Sequence, residues 1–195
     1  MLFRSGKPVL EKMGKKIVHC GGAGAGQAAK ICNNMILGAT MIATCEAFVL
    51  AEKLGLSAQA LYDVASTASG QSWSLTSYCP VPGPVPASPA NKDYKPGFAA
   101  ALMLKDLRLA QEAAASAGAA TPIGAQAAQL YALFAASGHA GDSLRPVLNL
   151  VEHSSDGDYR TFPPGCRALL SPSKLGDNLI VFSSRKGRCF SGNRN

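Results

Sequence analysis

The chain has 195 residues, of which 47% are hydrophobic and 16% charged, so it can build a packed core and is not disordered throughout. Its formal net charge is +7. Residues 152 to 195 hold 7 basic and 4 acidic residues, so +3 of that charge comes from less than a quarter of the length. None of the six cysteines forms a CxxC pair and the three histidines lie far apart, which argues against a zinc site or any other metal centre.

Residues 7–16, "KPVLEKMGKK", read as a short amphipathic piece ended at Gly14. "KIVHCG" (16–21) follows and is expected to be a short strand ending at glycines. From Gly26 to Leu54 no proline interrupts, and Ile31, Met35, Gly38, Ile42, Cys45 and Val49 recur at spacings of three and four. That period predicts one long helix. It is apolar nearly all round and so central, with Gly55 as its stop. A second helix is expected over Leu56–Ser69 with Ser57 as N-cap, broken by "SGQSW". Residues 79–97 contain six prolines and cannot form a regular helix. A structured loop of that length is often functional. Helices are then expected over Phe98–Gly118 and Thr121–Gly138, the latter with Pro122 in its first turn. "DSLRPVLNLVE" begins a last short one. Beyond His153 no period is sustained, and residues 153–195 read as a weakly ordered, solvated end rather than a nucleic-acid-binding tail. The fold class expected is all-α, with a strand stub before the long helix and a weakly ordered C-terminal tail.

The segment "GAGAGQAAKICNN" (22–34) invites a phosphate-binding reading, which its spacing does not support. A P-loop needs lysine directly after glycine and then Ser or Thr, whereas Lys30 lies four residues past Gly26 and precedes Ile31. The run Gly22, Gly24, Gly26 lacks the dinucleotide fingerprint's spacing, and no second strand follows the helix. What remains is a sharp glycine entry into a long helix, with Lys30 in its first turns and Asn34 one turn later on the same face. Apolar neighbours would partly desolvate Lys30, and desolvation and the positive helix end both lower a lysine pKa toward the range useful for acid–base work. On this chemistry alone, an ordinary surface lysine beside an asparagine is the more economical reading.

The segment resembles the start of the C-terminal domain of the β-hydroxyacid dehydrogenases, and among them the 3-hydroxyisobutyrate dehydrogenases. The family pattern G-x-x-G-x-G-x-x-x-K-x-x-x-N is met by Gly21, Gly24, Gly26, Lys30 and Asn34. "SGQSWSLTSYCPVPG", "NKDYKPGFAAALMLKDLRLAQ" and "TPIGAQAAQLY" follow in the family's order, so the likeness covers about residues 7 to 152. It implies a helical bundle like that of the 6-phosphogluconate and β-hydroxyacid dehydrogenases. It also implies oxidation of 3-hydroxyisobutyrate to methylmalonate semialdehyde with NAD, in valine degradation. Lys30 then resembles the lysine that takes the substrate hydroxyl proton, and Asn34 the asparagine that holds the substrate beside it. Lys105 resembles the lysine that reaches the nicotinamide cofactor. Phe98 and Asp106 match positions lining the cofactor and substrate cleft. Trp73 would wall the pocket for a small branched substrate. As alternatives, Trp73 is a core residue and Asp106 a helix-surface carboxylate.

The family has an N-terminal dinucleotide-binding domain, and residues 1–21 resemble its end and the junction. Residues 22–152 match the helical domain, and residues 153–195 have no counterpart in the family. The resemblance therefore leads us to expect a truncated or frame-shifted product with little turnover of its own, a homo-oligomer joined through the long helix, no membrane or nucleic-acid partner, and residence in the cytoplasm or a mitochondrial matrix. A non-catalytic helical interaction module and a related dehydrogenase, such as a tartronate semialdehyde reductase, are the alternatives.

Overall fold

A computed structural model describes residues 2–95, 97–136 and 141 of the chain. The last expected helix and the whole of residues 153–195 lie outside the described residues.

Among the described residues six α-helices follow in order: α1 (Leu2–Met13), α2 (Ala25–Lys53), α3 (Ala58–Ala65), α4 (Trp73–Thr76), α5 (Ala100–Ala117) and α6 (Pro122–Phe134). The all-α expectation holds, but the strand stub does not. Residues 15–21 carry no regular secondary structure, and no strand occurs among the described residues. An extended segment becomes a strand only by pairing, and none of the described residues offers it a ladder of hydrogen bonds.

The helix boundaries have local causes. Gly24, at the N-cap of α2, has φ 84°, a left-handed conformation that suits glycine and turns the chain into the helix. Ser57 caps α3, its Oγ accepting from the Ala60 N–H, and Ser72 caps α4 in the same way through the Leu75 N–H. Gly118 ends α5 at φ 67°. Thr121 precedes Pro122 as expected, yet its side chain does not cap α6. Its hydroxyl donates instead to Gln111 Oε1 on α5, at 3.2 Å.

The core forms where α2, α5 and α6 meet. Met41, Ile42, Cys45 and Val49 from α2 pack with Met103, Leu104 and Leu107 from α5 and with Ala127, Ala128, Tyr131 and Phe134 from α6. A second cluster joins Phe48 of α2 to Leu75, Cys79 and Val85. By length and composition α2 is apolar enough to cross a membrane, and in this fold its buried face is the core of the bundle. The opposite side is less covered, and Ile36 and Leu50 are exposed.

The proline-rich stretch is a cross-braced loop. Ser88 Oγ donates to the Cys79 carbonyl, Asn91 Nδ2 to the Val85 carbonyl, and Tyr94 Oη to the Pro80 carbonyl. The Asn91 side-chain oxygen accepts from the Gly83 N–H. Prolines cannot supply backbone donors, so side chains close this loop where a ladder would otherwise do so.

Candidate active site

Lys30 and Asn34 both project from the first turns of α2, one helical turn apart. Asn34 is half-buried and faces α5, where its Nδ2 donates to Asp106 Oδ2 at 2.6 Å. Asp106 is only 7% exposed, which excludes the helix-surface reading. Its other oxygen lies 3.3 Å from Lys105 Nζ, an ammonium that is itself exposed. A buried carboxylate needs such partners, and here a neutral amide and a cation share the role.

Lys30 agrees with the surface-lysine reading and departs from the partial desolvation its apolar neighbours suggest. It is exposed, not desolvated, and has no ion-pair partner among the described residues. The reason is positional: Ala28 and Ala29 beside it are also exposed, because the first turns of α2 run past the end of the packed bundle.

One turn further along α2, the surface turns apolar. Leu37 and Met41 of α2, Trp73 of α4, Tyr78, Phe98, Met103 of α5 and Tyr131 of α6 line a pocket of about 130 Å³. Leu37 is three residues past Asn34, and Met103 three before Asp106, so the pocket adjoins the polar contact at about 5 Å of rise along each helix. Trp73 is 55% exposed and stacks on Tyr78 with ring centroids 5.1 Å apart. It is a pocket wall and not a core tryptophan. Tyr78 Oη accepts from the Phe98 N–H at 2.7 Å, which fixes where the chain leaves the proline-rich loop. Burial pushes the Tyr131 hydroxyl far above the ordinary tyrosine range, with lesser contributions from Cys45 and Tyr78, so the pocket floor stays neutral. Burial likewise pushes the Cys79 thiol up.

The structure thus brings five of the six expected residues into two adjoining groups: Asn34, Asp106 and Lys105 in one, Trp73 and Phe98 in the other. Lys30 stands next to the first group along α2. Sequence reasoning missed Tyr78, Leu37, Met41, Met103 and Tyr131. Tyr78 was within reach, since it lies five residues after Trp73 in the same short segment. The others look like any core residue until the helices are packed. Lys105 and Phe98 are both exposed, so a cation and an aromatic face are open to an anionic, ring-bearing cofactor.

Three comparisons bear on this geometry. Residues 24–151 match the family described as NAD-binding of NADP-dependent 3-hydroxyisobutyrate dehydrogenase. A probable 3-hydroxyisobutyrate dehydrogenase of Mycobacterium tuberculosis is 58% identical over 154 residues, which is 79% of this chain and 52% of that protein. An NAD-dependent L-serine dehydrogenase of Pseudomonas aeruginosa is 46% identical over 75% of this chain and 49% of its own length. Among solved structures, Mycobacterium tuberculosis 3-hydroxyisobutyrate dehydrogenase with L-serine superposes with TM-score 0.73 and 58% identity, covering 76% of this chain and 51% of that one. The chain spans about half the length of the curated relatives it matches.

Proposed function

Because the chain belongs to the 3-hydroxyisobutyrate dehydrogenase family, we propose that it carries the lysine-bearing half of an active site that oxidises 3-hydroxyisobutyrate to methylmalonate semialdehyde, in valine degradation. The observation that supports this most directly is the adjoining of a polar group and an apolar pocket. Lys30 and Asn34 occupy one face of α2, and Asn34 is tied to Asp106 just before the pocket begins. A small hydroxyacid with one apolar branch has the same division of character.

In this reading, Lys30 Nζ in its neutral form accepts the proton of the substrate hydroxyl. Asn34 holds the hydroxyl end near it. The apolar walls, Trp73 and Phe98 among them, take the methyl branch and exclude water from it. NAD, when bound, supplies the hydride acceptor, and Lys105 and Phe98 are the residues of this chain that would meet it. A pocket lined almost wholly by carbon favours a methyl branch over the ammonium of L-serine or the hydroxyl of a tartronate semialdehyde product. The exposed apolar side of α2, with Ile36 and Leu50, supports association of subunits through this helix. Residence in the cytoplasm or a mitochondrial matrix goes with this activity.

The chemistry needs a second surface to grip the cofactor, so the 195 residues alone should show little or no turnover. Joined behind the first half of a 3-hydroxyisobutyrate dehydrogenase, they should reduce NAD with 3-hydroxyisobutyrate, and Lys30→Ala should lower that rate by about 10²–10⁴-fold. Equal rates for the joined wild type and Lys30→Ala would sink the reading.

A further inference from the structure

We propose that Asp106 is a positioning residue, which fixes the side-chain amide of Asn34 with its NH2 group turned into the α2–α5 contact and its oxygen left as the acceptor in the site. The inference deepens the reading above and rests on it for its functional part. An asparagine side chain has two ends of nearly equal shape and opposite hydrogen-bonding character. An ionised carboxylate can only accept, so the Asn34 end that approaches Asp106 at 2.6 Å must be the NH2 group. The Asn33 Nδ2 group donates to Asn34 Oδ1 at 3.2 Å, which favours the same orientation from the other side. Asp106 is buried and held in turn by Lys105 at 3.3 Å, so it cannot swing away without losing both partners.

The consequence is chemical. With its NH2 group committed, Asn34 offers the site its oxygen. It can accept from an ammonium on Lys30 or from a substrate hydroxyl, and so holds a proton-bearing group at the place where the proton is to be removed. An Asn34 turned the other way would present a donor and would draw the substrate carboxylate toward Lys30 in place of the hydroxyl. Asp106 therefore acts on the reaction through Asn34 and touches neither reactant. It differs in this from Lys105 and Phe98, which are exposed.

The test is nuclear magnetic resonance on the 15N-labelled chain. The Asn34 side-chain amide should resonate downfield of the exposed Asn33 amide and exchange with water about 10-fold or more slowly. In Asp106→Leu, which keeps the branched shape without the acceptor, both properties should revert to those of Asn33 while the backbone signals of α2 and α5 stay in place. Should that variant not fold, acidification of the wild type gives the second measurement, because the Asn34 amide shift should follow the titration of the Asp106 carboxyl carbon. An Asn34 amide like that of Asn33 in the wild type, or one indifferent to Asp106, overturns the proposal. These readouts need no substrate, so they stand or fall apart from the proposed activity. For the functional part, 3-hydroxyisobutyrate binding is titrated by the fluorescence of Trp73. Asp106→Leu and Asn34→Leu should weaken binding by similar factors, and the double variant by no more than either. Losses that multiply would mean that Asp106 meets the ligand directly, and would overturn the positioning role.

Discussion

Gly38 lies against the side chain of Leu107, so closely that a Cβ built on it would stand 3.0 Å from Leu107 Cδ2 and 3.1 Å from Cδ1. Leu107 is fully buried and has little room to move. This close approach sets the spacing of α2 and α5 one turn from the Asn34–Asp106 hydrogen bond. Alanine at 38 gains helix propensity of about 1 kcal/mol over glycine but forces Leu107 to shift. Valine adds two further methyl groups to the same gap. Gly38→Val should therefore lose about 1–3 kcal/mol of stability, read as a lower urea midpoint at unchanged slope. An unchanged midpoint would show that the helices are not held at this distance by Gly38.

Trp73 is the chain's single tryptophan and sits at the start of the one-turn helix α4, behind the cap made by Ser72. Losing a serine cap costs about 1 kcal/mol. In so short a helix the effect should be local. Ser72→Ala should leave the far-ultraviolet spectrum intact, shift Trp73 emission to the red and weaken its near-ultraviolet dichroism as the stack on Tyr78 loosens. If Trp73 emission is the same in both proteins, the cap does not hold the pocket wall.

The buried Tyr131 gives an alkaline limit to stability. Its folded pKa is raised above the ordinary value of about 10, so above that pH the unfolded chain releases the proton and the folded one keeps it. Fewer protons on the unfolded state mean that stability falls as pH rises, by up to about 1.4 kcal/mol per pH unit from this group. Below pH of about 9 the group contributes no dependence. Cys79, raised in the same sense from 9.0, adds a second loss that begins about one unit earlier. Tyr131→Phe should flatten the fall in urea midpoint between pH 10 and 11 while leaving the earlier part of the curve. A variant curve parallel to the wild type would rule out Tyr131 as its source.

Lys30 is exposed and sits in a turn that makes few tertiary contacts, so its side chain contributes little to the fold. Lys30→Ala should change stability by no more than about 0.5 kcal/mol. Its effect should fall on 3-hydroxyisobutyrate binding and turnover instead. Thermal unfolding and ligand titration on the same sample separate the two. A Tm loss as large as that of Gly38→Val would reassign Lys30 to a structural role.

The sequence by itself determined the helices and the faces they present. Uninterrupted period in 26–54, the serine at 57, Pro122 and the glycines at 55 and 118 act through backbone geometry within a few residues, so they could be read without a fold, whereas the one-turn helix capped by Ser72 was read only as a break. The common face of Lys30 and Asn34 follows from 3.6 residues per turn in the same way. The strand expected at 16–21 does not form because a short run ending at glycines is a local signal, whereas a strand exists only with a partner. Only the tertiary structure decided that Asn34 meets Asp106, 72 residues away, and that Lys30 stays in water. It also decided that Leu37, Met103 and Tyr131 from three helices close a pocket with Trp73 and Phe98. Those outcomes depend on how close α2 and α5 approach and in what register, and that is set by packing between side chains such as Gly38 and Leu107 that are remote in the chain.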